Sequence, residues 1–356
     1  MLRRILLTTD AVGGIWRYSI ELARGLADRK VEVVLAVLGP RPTVSQHREV
    51  FASPGVTLVV TDLPLDWLAE TETEIEFAAQ ALAALAKEVC ADTVQLHAPA
   101  LVGHANWPAP IVAVAHSCVA TWWSAVHGGA LPPDLAWRSR ATAVGTERAS
   151  RLVAPSRSFA NALRACHPSS RPVEVVLNGR THMQGHGPRH AHALTAGRLW
   201  DEGKNVAAMD AAARVLRRPV YAAGPLRGPN GAGLTYSHLQ MLGSLNEAAL
   251  ADEYARAAVF VSTALYEPFG LAVLEAAQAG CALLLSDIPT FRELWQDAAT
   301  FVPPRDSKRV ACELDRLLRD PRLRDERGAA ALQRSEAFSS HRMTDAIWNI
   351  HATMAA

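Results

Sequence analysis

Two acids eight positions apart, Glu267 and Glu275, enclose the run Glu-Pro-Phe-Gly-Leu-Ala-Val-Leu-Glu. The Phe269-Gly270-Leu271 turn opens an apolar helix that runs through Ala276-Ala277-Gln278-Ala279 and stops at Gly280, a residue suited to a left-handed cap. A helix start carries unpaired N–H groups and about half a positive charge, so it attracts phosphate. Glu267 stands just ahead of that pole, where a carboxylate can accept hydrogen bonds from sugar hydroxyls. If the whole segment is helical, Glu275 lies about 12 Å further on, at roughly 1.5 Å per residue. One acid would then hold a sugar and the other a ribose, with a diphosphate between them. The plainer alternative is a helix with an acidic first turn and one solvated glutamate.

A second group lies upstream. Residues 196–205 read Ala-Gly-Arg-Leu-Trp-Asp-Glu-Gly-Lys-Asn, with Arg198 and Lys204 six positions apart across a loop. Both can converge on one anion. A departing diphosphate gains negative charge as its bond to a sugar breaks, so fixed cations favour the transition state over the ground state. Arginine binds two oxygens at once, whereas lysine acts as a point charge. Lysine occurs only at positions 30, 87, 204 and 308, which sets Lys204 apart. The alternative is a pair of solvated surface cations.

The 267–275 run resembles the E-x7-E signature of retaining glycosyltransferases, in particular glycosyltransferase family 4. Residues 196–205 resemble that family's second signature, a G-R-L turn followed by a lysine near the next helix start. Many members have glycine directly after this lysine; here it is Asn205. Gly13-Gly14, in Gly-Gly-Ile-Trp-Arg-Tyr-Ser-Ile, resembles the family's glycine loop after the first strand, and it is not the G-x-G-x-x-G dinucleotide fingerprint. His116 ends the apolar run Val112-Ala113-Val114-Ala115, at the carboxyl end of a strand where α/β ligand sites form. In the family a histidine in this setting lies beside the transferred sugar. His97 also ends a strand and reads as a supporting group. Leu242-Gly243-Ser244-Leu245-Asn246 resembles the strand-end turn that touches the nucleotide base. Trp122, Trp123 and the nearby Trp137 offer flat faces for stacking on sugar rings, with core packing or membrane-surface contact as competing readings.

The elements that would position these groups form two series. The first has strands over 4–9, 31–38, 56–60, 92–97 and 111–116, and a short apolar run at 152–156. Its helices cover 15–29, 75–89 and 157–166, with a partly helical stretch at 131–146. A strand at 173–177 ends in the turn pair Asn178-Gly179. A linker rich in histidine and glycine follows. The second series has strands at 193–195, 220–223, 240–242, 258–262 and 281–285. Helices are expected at 205–216, 247–257, 307–320 and 322–338, besides the helix after Gly270, and a last helix covers 341–354. Strand-helix-strand alternation implies parallel sheets covered by helices.

The whole chain has 356 residues, 49% of them apolar and 20% charged, with a formal net charge of +1. That size suits two domains, and that balance gives no reason to expect a nucleic acid partner. The five scattered cysteines lack metal-binding or disulfide spacing, which points to a reducing cytoplasm. No apolar run reaches the length of a membrane span and no signal peptide is visible. Arg3, Arg4 and the tryptophans leave room for peripheral contact at the inner face of the membrane.

The resemblance implies an α/β GT-B fold, two Rossmann-like domains with a cleft between them. Residues 1–178 would form the acceptor domain and 179–339 the donor domain, with the helix at about 340–356 returning to the first. It implies retaining transfer of a hexose from a UDP- or GDP-sugar to a hydroxyl on a glycan, lipid or small molecule. No cofactor or metal is expected. The candidate catalytic side chains are His116, Arg198, Lys204 and Glu267. Gly14, Arg198, Lys204, Leu245, Glu267, Phe269, Gly270, Leu271 and Glu275 are candidates for the donor, and Gly13, Trp122 and Trp123 for the acceptor. A pseudo-glycosyltransferase, a nucleotide-sugar binding protein and a nucleotide-sugar epimerase on the same frame stay open as alternatives.

Overall fold

A computed structural model describes residues 2–168 and 171–355. The chain forms two units: Met1–Gly179 with Ser340–Ala356, and Arg180–Ser339.

The first unit is built on seven parallel strands: β1 (Arg4–Asp10), β2 (Glu32–Leu38), β3 (Val56–Val60), β4 (Thr93–Leu96), β5 (Ile111–Val114), β6 (Arg151–Ala154) and β7 (Val173–Val175). Their order is β3-β2-β1-β4-β5-β6-β7. The strands read as unbroken apolar runs because helices cover a parallel sheet on both faces. Ile5, Leu7, Val33, Leu35, Val112 and Val114 accordingly lie in one core. Helices α1 (Gly14–Ala27), α2 (Val44–Phe51), α3 (Glu72–Glu88), α4 (Val119–Val126), α5 (Ala136–Arg148) and α6 (Arg157–Cys166) connect them.

The second unit has six parallel strands: β8 (His190–Ala196), β9 (Val220–Ala223), β10 (Gln240–Gly243), β11 (Ala257–Ser262), β12 (Ala282–Ser286) and β13 (Ala299–Val302). Their order is β10-β9-β8-β11-β12-β13. Its helices are α7 (Val206–Ala213), α8 (Glu247–Arg256), α9 (Leu271–Gln278), α10 (Pro289–Trp295), α11 (Ser307–Arg319) and α12 (Pro321–Ser335). In both sheets the strand order reverses beside the first strand, between β1 and β4 and between β8 and β11. Ligand crevices form at such switch points, outside the carboxyl ends of the strands.

Several boundaries differ from the sequence expectation. Helix α2, helix α4, helix α10 and strand β13 occupy stretches for which no element was expected. Strand β8 starts at His190, inside the stretch read as linker, and α12 ends at Ser335, before Phe338. Arg4 donates from Nε to Glu32 Oε2 at 2.7 Å in an exposed pair. Among the described residues no helix is long and apolar enough to cross a membrane.

The last helix, α13 (Ser340–Met354), belongs to the first unit. Met343, Ile347 and Ile350 enter the same core as Trp16, Tyr18 and Leu22 of α1. The two helices approach closely at Gly25, where an added Cβ would lie 2.5 Å from Thr344 Oγ1 and 2.7 Å from its Cγ2. Arg29 pairs with Asp345 beside that contact. Deeper in, α13 is tied to the sheet by polar groups. Thr93 Oγ1 and His351 Nδ1 are 2.8 Å apart, and His351 Nε2 and Gln95 Oε1 are 2.9 Å apart. Gln95 Nε2 lies 2.8 Å from His97 Nε2, and His97 Nδ1 lies 3.3 Å from Ser19 Oγ. An amide NH2 can only donate, which makes His97 Nε2 an acceptor and Nδ1 a donor to Ser19. The amide oxygen can only accept, so His351 Nε2 donates, and in the neutral ring that its burial favours Nδ1 accepts from Thr93. Each imidazole is therefore neutral and held in one tautomer. Burial depresses both: His351 falls to about 3, and His97 falls well below its usual range, helped by His116.

Two stability tests follow from these contacts. Gly25→Ala is expected to destabilise the protein by about 1–3 kcal/mol through overpacking. The loss should shrink in a Thr344→Ala background; equal losses in both backgrounds would contradict the close approach. The neutral histidines set a pH dependence as well. Their folded pKa values lie below the unfolded value of about 6.5, so the unfolded chain binds more protons between the two. The His351 contribution is complete above about pH 6.5 and is lost as pH falls towards 3, at about 1.4 kcal/mol per pH unit, and His97 adds a loss in the same direction. Denaturant unfolding from pH 7.5 to 5 should show this fall, with a shallower slope in His351→Gln. A flat profile would contradict the neutral chain.

Candidate functional site

In the second unit the candidate residues follow β8, β10 and β11. Strand β8 ends at Ala196, and Gly197 turns the chain with φ +143. Its carbonyl is crossed by the backbone at Gly224, where a Cβ would sit 1.8 Å from Gly197 O, so glycine is required there. Arg198 follows and donates from Nη2 to Asp201 Oδ2 at 2.8 Å. Asp201 Oδ1 accepts the Gly203 N–H at 2.9 Å, which folds residues 202–204 into a short turn of helix. Burial alone would raise the Asp201 carboxyl. The nearby charges of Arg198 and Lys204 and the hydrogen bonds from Arg198 and Gly203 outweigh it and hold the group below the usual carboxylate range.

Lys204 reaches across to Glu267, and the two form a part-buried ion pair. The loops that carry them are also joined by backbone: Leu265 N donates to Gly203 O at 2.9 Å and Tyr266 N to the same oxygen at 3.2 Å. Asn205, which stands where many family members have glycine, is left-handed at φ 49. Asparagine tolerates this region, and its side chain adds support. Nδ2 donates to Thr263 O at 2.9 Å and to Pro304 O at 2.7 Å, while Thr263 Oγ1 donates to Asn205 O at 2.8 Å. The departure from glycine thus preserves the local turn.

Glu267 precedes a left-handed Gly270 (φ +94), which is the N-cap of α9. The segment is therefore not helical throughout: α9 begins at Leu271, and Glu267 lies on the approach loop. No side chain caps the first turn of α9. Phe269 is buried and meets Phe338 edge-on at 5.7 Å, so its ring anchors the loop while its backbone stays at the helix start. Gly280 closes the helix end at φ +74. Leu245 is half-buried, two residues after the left-handed Gly243.

Glu275, expected at the ribose, is buried and not the solvated glutamate of the plainer alternative. Its side chain is only 8% exposed, with Oε1 3.0 Å from Arg180 Nε and Oε2 3.1 Å from the Tyr254 hydroxyl. Arg180 and Asp201 are the residues that sequence reading missed. Asp201 carried a signal, three positions after Arg198. Arg180 carried none, because its acid partners lie 67 and 95 positions away.

In the first unit, Gly13 is the N-cap of α1 with an extended φ of −165, and Gly14 is exposed. His116, after β5, packs edge-on against Tyr18 at 4.6 Å and His97 at 4.9 Å. Burial lowers its imidazole to about 3, and its Nε2 is enclosed without a hydrogen-bond partner. It is a neutral group, beside the neutral His97. Trp122 and Trp123 on α4 are half-buried, 6.3 Å apart, and Trp123 lies 4.3 Å from the His127 ring. Among the described residues, no three His, Cys, Asp or Glu side chains are grouped to hold a metal ion.

Residues 12–181 match the family Glycosyltransferase Family 4, and residues 234–334 match Glycosyl transferases group 1. The phosphatidyl-myo-inositol mannosyltransferase of Mycolicibacterium smegmatis is 31% identical over 126 residues, 35% of this chain and 33% of that protein. The O-antigen chain mannosyltransferase B of Escherichia coli is 30% identical over 101 residues, 28% of this chain and 26% of that protein. The matched stretch spans a third or less of the length of these relatives. Among solved structures, sucrose-phosphate synthase from Thermosynechococcus elongatus aligns with a TM-score of 0.80 at 18% identity, covering 99% of this chain and 98% of that one. Anabaena HepE, solved in complex with UDP and glucose, aligns with a TM-score of 0.75 at 15% identity, covering 99% and 100%. Two parallel α/β units with these two family matches identify the chain as a member of the GT-B glycosyltransferases, family 4, group 1.

Proposed function

We propose that the protein is a retaining glycosyltransferase that moves a hexose from a nucleoside diphosphate sugar to an acceptor hydroxyl without a metal ion. The observation that carries this reading is the convergence of Lys204, Arg198, Glu267 and Asp201 beside the uncapped start of α9. The four side chains sum to no net charge. A diphosphate arriving there would draw Lys204 and Arg198 away from their carboxylates. Glu267 would then be released from Lys204 to accept hydrogen bonds from sugar hydroxyls. HepE, a protein of the same fold, is solved with UDP and glucose, which fits a donor of this class.

In this reading the second unit holds the donor and the first receives the acceptor. The backbone of Phe269, Gly270 and Leu271 contacts sugar and phosphate oxygens. Glu275 holds the ribose and the turn at Leu245 meets the base. As the bond between the anomeric carbon and the β-phosphate oxygen breaks, charge grows on the diphosphate. Lys204, Arg198 and the helix start stabilise that charge more in the transition state than before it. The acceptor oxygen bonds to the anomeric carbon on the same face, and its proton passes to the departing phosphate oxygen. These cations supply the charge stabilisation that a divalent ion gives elsewhere. His116, being neutral, orients donor or acceptor by hydrogen bonding. Gly13 and Gly14 let the backbone approach a ligand, and Trp122 and Trp123 offer acceptor contacts. The five cysteines, scattered through the chain, fit a reducing cytoplasmic setting.

Lys204→Ala should lower kcat by about 10²-fold or more, as the loss of an oxyanion donor does. Glu275→Ala should chiefly weaken donor binding. The product should keep the anomeric configuration of the donor when followed by NMR, and a chelator should change the rate little. Full activity in the lysine variant, an inverted product, or inhibition by chelator that manganese reverses would each contradict the corresponding part of the reading.

A further inference from the structure

Arg180 is the first residue of the second unit, and its side chain is 4% exposed. One guanidinium there serves two acids. Nε lies 3.0 Å from Glu275 Oε1, and Nη2 lies 2.7 Å from Glu247 Oε1. A planar fork can meet two carboxylates in two directions at once, which a lysine ammonium cannot do with the same geometry. The backbone of Arg180 is fixed at both ends. Its N–H donates to Phe338 O at 3.1 Å, and its carbonyl accepts Gln278 Nε2 of α9 at 3.1 Å. Gln278 and Glu275 lie on the same helix, so α9 is held to Arg180 through both backbone and side chain.

Glu247 is the first residue of α8, directly after Asn246, whose side chain caps that helix by accepting the Ala249 N–H at 2.9 Å. Leu245 stands one residue earlier. Arg180 therefore joins the turn assigned to the base with the carboxylate assigned to the ribose. Tyr254, also on α8, completes the frame from the other oxygen of Glu275. Without the guanidinium, the 8% exposed Glu275 would lose the cation beside it, while Glu247, 39% exposed, could turn to water.

We propose that Arg180 is a positioning residue for the nucleoside of the donor, fixing Glu275 against the α8 turn so that this carboxylate is aimed at the ribose hydroxyls. The inference rests on the donor-binding reading above and adds a residue that no motif announces. Its signature is a preference for ribose over deoxyribose that is separable from diphosphate affinity.

The test measures binding of UDP, GDP, their 2′-deoxy counterparts and inorganic pyrophosphate by calorimetry to the full chain, its Arg180→Gln variant and its Tyr254→Phe variant. The wild type should prefer the better ribonucleotide over its deoxy form by about tenfold or more, as expected for one hydrogen bond to a charged group. In Arg180→Gln that ratio should collapse towards one while pyrophosphate affinity is kept. Tyr254→Phe, which removes one hydroxyl, should lower the ratio in the same direction and decides the matter if Arg180→Gln does not fold. A ratio kept in the folded variants would overturn the positioning role alone. A parallel loss of affinity for all ligands would reduce Arg180 to a structural part and also overturn it. A wild type that binds nucleotides without any ribose preference would remove the ribose contact itself, and one that binds none would remove the donor reading.

Discussion

The pairing of Lys204 with Glu267 joins the loops after β8 and β11 in the second unit. An ammonium and a carboxylate are held together at the start of α9, in a partly buried setting where neither is strongly screened. The backbone around them is shaped to allow it. Asn205 and Gly270 are both left-handed, and Gly203 O takes two N–H donors from the loop that carries Glu267. The companion pair, Arg198 with Asp201, repeats the arrangement one turn away. Two long flexible side chains are thereby ordered before any ligand arrives, which lowers the entropy lost on binding. In the reading proposed above, the donor's diphosphate takes the place of the two carboxylates beside the cations, and the charge that grows on the leaving group is then met by Lys204 and Arg198.

The first unit works on the opposite electrostatic principle. Its switch point holds His97 and His116 as neutral rings, packed edge-on with Tyr18. A directed chain of hydrogen bonds from Thr93 through His351 and Gln95 fixes the His97 tautomer. His351 comes from α13, so the last helix contributes a polar tie as well as apolar packing. In the reading proposed above, an acceptor contact at His116 would be made by hydrogen bonding, with little charge offered to it. The two cation–carboxylate pairs described above lie in the second unit and the neutral histidines in the first.

Much of this was readable in the residues. Glu267, the G-R-L turn and the strand-end His116 follow the carboxyl ends of β11, β8 and β5, as their local patterns suggest, and Glu275 lies on α9. The short elements were harder to read. Helix α2 carries a capping box from Thr43 to Gln46 that marks its start, yet only Val50 is buried and the apolar face is thin. Helix α4 is rich in valine, threonine and tryptophan, which favour strands, and it depends on Cys118 accepting the Thr121 N–H. Strand β13 has four residues and α10 begins on a proline. Glu275 shows the deeper limit. Its type and position suggest a ligand group, whereas its partners Arg180 and Tyr254 are set by the tertiary fold. No local pattern reports which acid will find a buried guanidinium.

The most direct measurement is a crystal structure of the full chain with UDP or GDP bound. The account predicts the β-phosphate within hydrogen-bonding distance of Lys204 Nζ and the Arg198 guanidinium, at the first turn of α9, with Lys204 drawn off Glu267. A nucleotide bound elsewhere, or one bound while both cations keep their carboxylates and turn away from the phosphates, would contradict it.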